Sequence, residues 1–497
     1  MLLKSVRIIF LTLAALILIF MISCGDTPGD SSGGGPANAD PNEDADTVNI
    51  DDSDEEDESP QITVPDLPDM DWREKTITFL VRGPVFEEWQ SQDIYAEAEN
   101  GEPVNDAVYR RNAILEDRYN FLIREVEGTA AIQTQAERSI LSGDNAYQVI
   151  MANTQETNNL AMRGSLRDLR GLDHLDLSRE YWDQNSIYGF TVGGKTMFMT
   201  GDLSIMANDA TWIFMFNKDL LRDLGHTDPY ALVKEGKWTA DALHDMMRDT
   251  ARDLNGDGIM RGADDLFGLA THDSTFDGLF FSMGMRVSGI NSEGFPELTM
   301  NNERVIQVME KTAMIMDRDI TFNGDWQPIA VCFEENRALF YGEVLQCVIR
   351  RRAMDTDFGV LPLPKLNEAQ EDYAHMVHIT ACMIGVPVSL DSEEAAFTGF
   401  VLEAMAAESR NWLVPAYYTI ALEGKFMRDE ESKEMLDIIL RTRRYDLGYA
   451  ANWGNLFTGY VTSVKRGDTD FASVWERNGD RAISAMERAI EAYMDIE

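Results

Sequence analysis

Between residues 25 and 71 the chain carries no Lys or Arg, and sixteen of its 86 acidic side chains fall there among Gly, Ser, Asn and Pro. Such a stretch cannot bury enough apolar surface to offset the entropy of ordering it. Its like charges, densest over residues 51–58, keep it extended. Whatever folds must therefore be built from the roughly 425 residues that follow. That length exceeds what a single core usually supports, so two domains are expected. The acidic stretch reads as a disordered tether whose full reach is on the order of 150 Å.

Ahead of the tether, Lys4 and Arg7 precede an apolar run over residues 8–22, interrupted only by Thr12 and stopping at Ser23-Cys24-Gly25. The run is short for a spanning helix and has the flanks of an export signal. Met21-Ile22-Ser23-Cys24 resembles the lipobox of bacterial lipoproteins, with methionine at the position where leucine is usual. That resemblance implies a lipid on Cys24, which becomes the mature N-terminus. The alternative is an uncleaved N-terminal anchor. Either way the body is expected outside the cytoplasmic membrane and held to its outer face.

The formal charge is −43, and the excess of acids continues beyond the tether. A field of that sign repels nucleic acid and anionic lipid, so neither is expected as a partner. Besides Cys24 there are Cys332, Cys347 and Cys382, whose irregular spacing gives neither a disulfide framework nor a zinc pattern. Cys382 sits in an apolar run and is expected to be a buried free thiol. His375 and His378 have no third ligand in view and read as surface or loop histidines.

Along the body, residues 76–81 form a β-branched, apolar run that opens into a loop at Arg82-Gly83. Pro103 starts a helix with Val104, Ala107, Val108, Ile114 and Leu115 on one face. Strands are expected over 121–126 and 147–151, with a helix over 130–141 between them. The pattern restarts after Gly201 with a strand over 212–217, helices over 218–224, 239–253 and 302–318, and then a largely helical closing third over 393–407, 430–444 and 470–495. Strands alternating with helices predict parallel pairing with covered faces. No repeat of 20 to 50 residues is present. The fold class is therefore α/β, in two halves, each a sheet flanked by helices.

Several stretches together resemble the extracellular solute-binding proteins of ABC importers, the sugar-binding family that includes maltose-binding protein. They are Met215-Phe216-Asn217-Lys218-Asp219-Leu220-Leu221, Gly236-Lys237-Trp238-Thr239, Asp265-Leu266-Phe267-Gly268-Leu269, Phe340-Tyr341-Gly342-Glu343 and Phe358-Gly359-Val360-Leu361-Pro362-Leu363-Pro364. Each is short; their order and spacing across residues 74–497 carry the resemblance. It implies a two-lobe fold of the periplasmic-binding-protein type with ligand in the cleft and hinge closure as the working motion. On that analogy residues 1–23 are the signal, 24–71 the tether, 72–198 the first part of lobe 1 and 199–359 the first part of lobe 2. Residues 360–405 return through the hinge to lobe 1, and 406–497 supply the C-terminal helices of lobe 2. The resemblance implies a monomer that binds a small-molecule solute, a sugar or oligosaccharide, and hands it to ABC permease subunits without chemistry.

Sugar recognition needs flat aromatic faces and a few polar groups on cleft loops. Trp453 and Asn455, in Asn452-Trp453-Gly454-Asn455, are the first candidates, because the resembling family places a sugar-stacking tryptophan at about this point of the second lobe. Trp326 in Asn323-Gly324-Asp325-Trp326 has similar surroundings, and Trp89, Trp182 and Trp412 rank below it. The polar candidates are Arg82 after the first strand, Asn153 and Gln155 after the third, Asp202 at the first crossing and Asp277 in the second lobe. Each of these can equally be a core or loop residue.

The sharpest local motif runs from Asp253 to Asp264. Asp253, Asn255, Asp257, the Ile259 carbonyl and Asp264 stand at the spacing of a calcium loop, with Gly258 at its turn. One structural calcium ion is therefore expected, against a plain Asx/Gly turn. A tethered glycoside hydrolase and a carbohydrate-binding adhesin are the competing function classes. The first needs a carboxyl pair that so acidic a chain offers anywhere, and no HExxH or GxSxG occurs.

Overall fold

The computed structural model describes residues 62–262, 264–351, 354–422 and 430–495. The expected export signal, Cys24 and most of the expected tether lie outside them. The chain opens with β1 (Lys75–Arg82), α1 (Pro103–Tyr119), β2 (Phe121–Gly128), α2 (Ile132–Ser142), β3 (Val149–Asn153) and α3 (Thr154–Met162). Pro103 starts α1 where its missing N–H has no helical partner to lose, and Asn120 in the left-handed region ends it. β1 pairs in parallel with β2 along its length and with β3 at Phe79 and Leu80. Alternation along β1 sends Ile77, Phe79 and Val81 to one core and Leu80 to the other.

After β4 (Phe198–Met199) the chain crosses to a second sheet at β5 (Trp212–Asn217). There follow α4 (Ala240–Thr250), β6 (Phe267–Thr271), α5 (Thr275–Ser282), α6 (Glu303–Ile315), β7 (Thr321–Asn323), α7 (Trp326–Glu334), β8 (Ala338–Val344), α8 (Gln346–Arg350) and β9 (Phe358–Leu361). The chain then returns to the first sheet at β10 (Cys382–Gly385) and closes with α9 (Ser392–Leu422), α10 (Glu430–Arg441), α11 (Leu456–Lys465) and α12 (Phe471–Met494). The strand orders are β2-β1-β3-β10-β4 and β7-β6-β8-β5-β9. Both sheets are mixed: β10 runs antiparallel to β3 and β4, and β5 antiparallel to β8 and β9. Each strand that follows a crossing is thus the reversed one in its sheet.

Three apolar clusters hold this arrangement. One fills the outer face of the first sheet against α1 and the start of α9, and one fills a face of the second sheet against α7 and α10. The third runs across both sheets and takes in α11 and α12. Residues Gln61–Glu497 accordingly pack as one compact unit. No helix among the described residues is long and apolar enough to cross a membrane.

Four local expectations change. The helix expected to end near residue 407 continues to Leu422, because Ala404, Met405, Ala406 and Ala407 favour helix and Pro415 removes only one ladder bond. Its early residues Leu402 and Met405 pack with the first sheet and its later Leu413 and Tyr417 with the second, so one helix contacts both halves. Ile114 is 38 % exposed, while Arg111, at the adjoining position of the same helix, is fully buried. Its guanidinium donates to the Ile94 carbonyl (2.8 Å) and Ser409 Oγ (3.1 Å), which takes up its polar groups. The third strand begins two residues later than expected. His375 is not a surface residue: it is fully buried, accepts from the Leu363 N–H at 3.2 Å and meets Thr442 Oγ1 at 2.8 Å. Cys332, Cys347 and Cys382 are all buried and free.

Candidate functional site

In sheets of this kind ligands meet the carboxyl ends of the strands. Here those ends converge on a cleft of about 670 Å³ between the two sheets, a size that suits a small ligand. The turn Pro84–Trp89 after β1 brings in Glu88 and Trp89, and the segment entering β10 brings His378 and Thr380. From the second sheet, β6 delivers His272 and Asp273, β7 delivers Asn323 to Trp326, and β8 delivers Tyr341 and Glu343. Gln346 and Arg350 of α8, with Arg351 just after it, complete the wall.

Trp212, the first residue of β5, forms the base with its ring 1 % exposed. His272 stands edge-on to it at 5.0 Å and His378 lies at 6.2 Å. Trp326 is 49 % exposed, with the Arg350 guanidinium 5.8 Å above its ring. The two halves touch directly where Arg350 Nη1 meets Glu88 Oε1 at 3.0 Å and Gln346 Nε2 donates to the Glu88 carbonyl at 2.6 Å. Glu87, which sets up this contact, has φ 50 and ψ −121, an unfavourable conformation for a non-glycine residue.

The polar groups are held in place. Burial opposes charge on Glu343, but His272 at 3.2 Å, the Val344 N–H at 2.9 Å and the Arg351 charge outweigh it and keep the carboxyl below its ordinary range. Asp273 is likewise held low against burial by Lys465 at 2.7 Å and Asn323 at 3.0 Å. Burial and the neighbouring His272 push His378 down to about 4, so its ring is neutral near pH 7, with one donor and one acceptor nitrogen. The cleft thus offers indole faces beside oriented donors and acceptors, an arrangement suited to a polyhydroxylated ring.

Of the sequence candidates, Trp326 lines this cleft, as does the lower-ranked Trp89. Trp453 is 5 % exposed and packs in the core shared by both sheets. Its turn is pressed on α12: Gly454 has φ 58, a Cβ there would stand 2.4 Å from Ala482 N, and Asn478 Nδ2 donates to the carbonyls of Gly454 (3.0 Å) and Asn455 (2.8 Å). Asn455 is exposed in the left-handed region, where its Oδ1 accepts from Asn452. Asn153 Oδ1 caps α3 by accepting from the Glu156 N–H at 2.8 Å, and Gln155 is exposed on that helix. Arg82 is 3 % exposed with its guanidinium 5.7 Å from the Phe86 ring.

Asp277 lies on α5, where Tyr449 donates to it at 3.0 Å and burial pushes its carboxyl up to about 7. Asp202 borders a different cavity beside the first crossing, paired with Arg410 at 3.0 Å and pushed up to about 6 by burial. Trp182 is fully buried and donates to Glu403 at 3.0 Å; Trp412 donates to Glu408 at 2.8 Å.

In the Asp253–Asp264 loop, Asp253 accepts from the N–H groups of Gly256 (2.7 Å) and Gly258 (2.8 Å), Asn255 from Asp257 (2.9 Å), and Asp257 from Ile259 (2.8 Å). Gly258 takes φ 78, and Asp257 also pairs with Arg261. Asp265, beside Asp264, is fully buried and accepts from the Leu254 and Arg261 N–H groups. Among the described residues no three His, Cys, Asp or Glu groups are clustered as a metal site.

Sequence reasoning missed Trp212, His272, Glu343 and the bridging pair of Glu88 and Arg350. A signal for Glu343 exists: Tyr341 and Glu343 share a face of an otherwise apolar strand, and a carboxylate there needs a reason. His272 follows a strand end directly, the position that ligand loops occupy.

No protein-family profile matches the chain, and no curated protein matches it in sequence. Solved structures do match in fold. A cyclo/maltodextrin-binding protein complexed with maltotetraose superposes with a TM-score of 0.55 at 12 % identity, covering 84 % of this chain and 98 % of that one. An ABC substrate-binding protein from Listeria monocytogenes, in complex with cycloalternan, gives 0.52 at 15 % identity over 83 % and 99 %. UgpB from Mycobacterium tuberculosis, in complex with glycerophosphocholine, gives 0.53 at 15 % identity over the same shares. With two mixed sheets, crossings between them and a cleft at their strand ends, the chain has the maltose-binding-protein-like fold of ABC-importer solute-binding proteins.

Proposed function

We propose that this protein captures a solute, a sugar or oligosaccharide, in the interlobe cleft and delivers it unconverted to the permease subunits of an ABC transporter, acting as a monomer on the outer face of the cell membrane. The observation that carries the reading is the cleft: Trp89, Trp212 and Trp326 surround polar groups that are already oriented by their own partners. Preorganised groups of this kind lose little entropy on binding. Trp326 and Trp89 stack on the ring, and the His272–Glu343 pair reads its hydroxyls. Calorimetric titration with a panel of mono- and oligosaccharides, followed by chromatography after long incubation, tests it. Binding without product is expected; product formation would overturn the assignment.

Two further parts belong to this proposal. Cys24 carries the lipid, so wild-type protein sediments with membranes while Cys24→Ala appears in the medium; equal partition of the two forms sinks the idea. The Asp253–Asp264 loop takes a structural calcium ion. What supports this is the spacing of its oxygens and the positive φ of Gly258 at the turn. A ligand that binds only the folded state raises its stability, so EGTA is expected to lower the melting temperature of purified protein. An unchanged midpoint removes the ion.

A further inference from the structure

A second cavity of about 670 Å³ adjoins the tryptophan cleft and shares three residues with it, Glu88, Gln346 and Arg350. Those residues form the bridge between the halves of the molecule, so the bridge is a partition rather than an end wall. Beyond it the cavity is again bounded from both sides: Gln90, Tyr95 and Glu125 come from the loop and strand next to β1, and Ile349 and Ile420 come from α8 and α9. Because both halves line it, a closure of the cleft would narrow this chamber as well. Its chemistry differs. Tyr95 takes the place of the three indoles, with the Arg124 guanidinium 5.7 Å from its ring, and the other walls are largely amides and carboxyls.

Glu125 Oε2 is buried there with no hydrogen-bond partner. Burial, with the nearby Asp93 charge, pushes this carboxyl up to about 8. Near pH 7 it keeps its proton, so it can both donate to and accept from a hydroxyl. A buried oxygen left without a partner carries a desolvation cost that an incoming hydroxyl would remove.

We infer that the second chamber belongs to the solute site and takes the hydroxyl-rich distal end of an elongated saccharide whose other end stacks in the tryptophan cleft. The inference rests on the proposed carbohydrate binding and adds a length requirement to it. A ligand confined to the cleft leaves the chamber to water; one that passes the Glu88–Arg350 partition gains a second set of contacts and displaces that pair.

The test titrates full-length protein with disaccharides and hexasaccharides of the malto-, cello- and xylo-series. Two chamber variants accompany it, Gln92→Trp, which fills the space from an exposed position, and Glu125→Gln, which keeps the shape and removes the acid proton. The wild type is expected to bind a hexasaccharide about tenfold or more tightly than the matching disaccharide. Gln92→Trp should erase that preference with an unchanged melting temperature, and Glu125→Gln should reduce it. Equal affinity for both lengths in the wild type, or a preference that survives Gln92→Trp, overturns the chamber while leaving carbohydrate binding intact. Failure of every saccharide to bind the wild type overturns the proposed function itself, and the chamber with it.

Discussion

Trp326→Ala is expected to weaken saccharide binding by about 1–3 kcal/mol, roughly 5- to 150-fold in Kd, with little change in melting temperature. The ring is half exposed at the cleft wall, so its truncation leaves no sealed cavity. What is lost on the protein side is the Arg350 contact, an interaction of about 0.5–1 kcal/mol at exposed sites. What is lost on the ligand side is a flat apolar face of large area. Trp453→Ala provides the contrast. That indole is buried in the core beside α12, and its removal leaves a cavity costing about 3–5 kcal/mol of stability. Urea denaturation and calorimetry on the two variants separate these outcomes. An unfolding midpoint for Trp453→Ala equal to that of the wild type would contradict the packing described here, and full affinity in Trp326→Ala would remove it from the ligand site.

Asp183→Ala is expected to destabilise the protein by about 3–5 kcal/mol, because it strands a buried cation. Arg443 Nη2 meets Asp183 Oδ2 at 2.8 Å with both side chains largely buried, and the neighbouring acids hold the guanidinium charged despite desolvation. The same carboxylate caps the helix Gln184–Phe190 through the N–H groups of Asn185 (2.9 Å) and Ser186 (3.1 Å), and accepts from Tyr445 at 2.8 Å. Asp183 precedes the first crossing in the chain and Arg443 follows α10, so the pair ties distant segments next to the crossing strands. Replacing both residues, Asp183→Leu with Arg443→Met, should cost less than Asp183→Ala alone, since no unpaired charge then remains buried. A double variant as unstable as the sum of its single variants would show that the pair acts independently.

Much of the secondary structure is legible without the fold. Gly225 at φ 70 stops the helix that Asn217 caps, and Thr239 caps α4, as the short-range pattern indicates. The apolar strands β1, β2 and β5 are found at the expected residues, because a run of β-branched and aromatic side chains has few ways to be buried. α9 shows where local reading stops: its end is decided by Leu413 and Tyr417 meeting the second sheet, a contact with residues far away in the chain.

The candidate site was far less legible. Trp326 and Trp453 both sit among Asn and Gly, and nothing within five residues of either tells a cleft wall from a turn clamped on a helix. The same holds for Asn153, whose side chain serves as a helix cap, and for Asp202, which faces Arg410 in another cavity. Trp212 was hidden for the opposite reason, since it opens a strand that local pattern marks as core.

What the sequence determines by itself is a body of alternating strands and helices, with the expectation of an export signal and an acidic tether ahead of it. Those properties follow from composition and periodicity, which act over a few residues at a time. Only the tertiary structure decided which side chains face one another across the cleft. The ends of β1, β6, β7 and β8 come together through pairings between residues as far apart as Ile150 and Gly385, and a side chain becomes part of a site or part of a core according to that pairing.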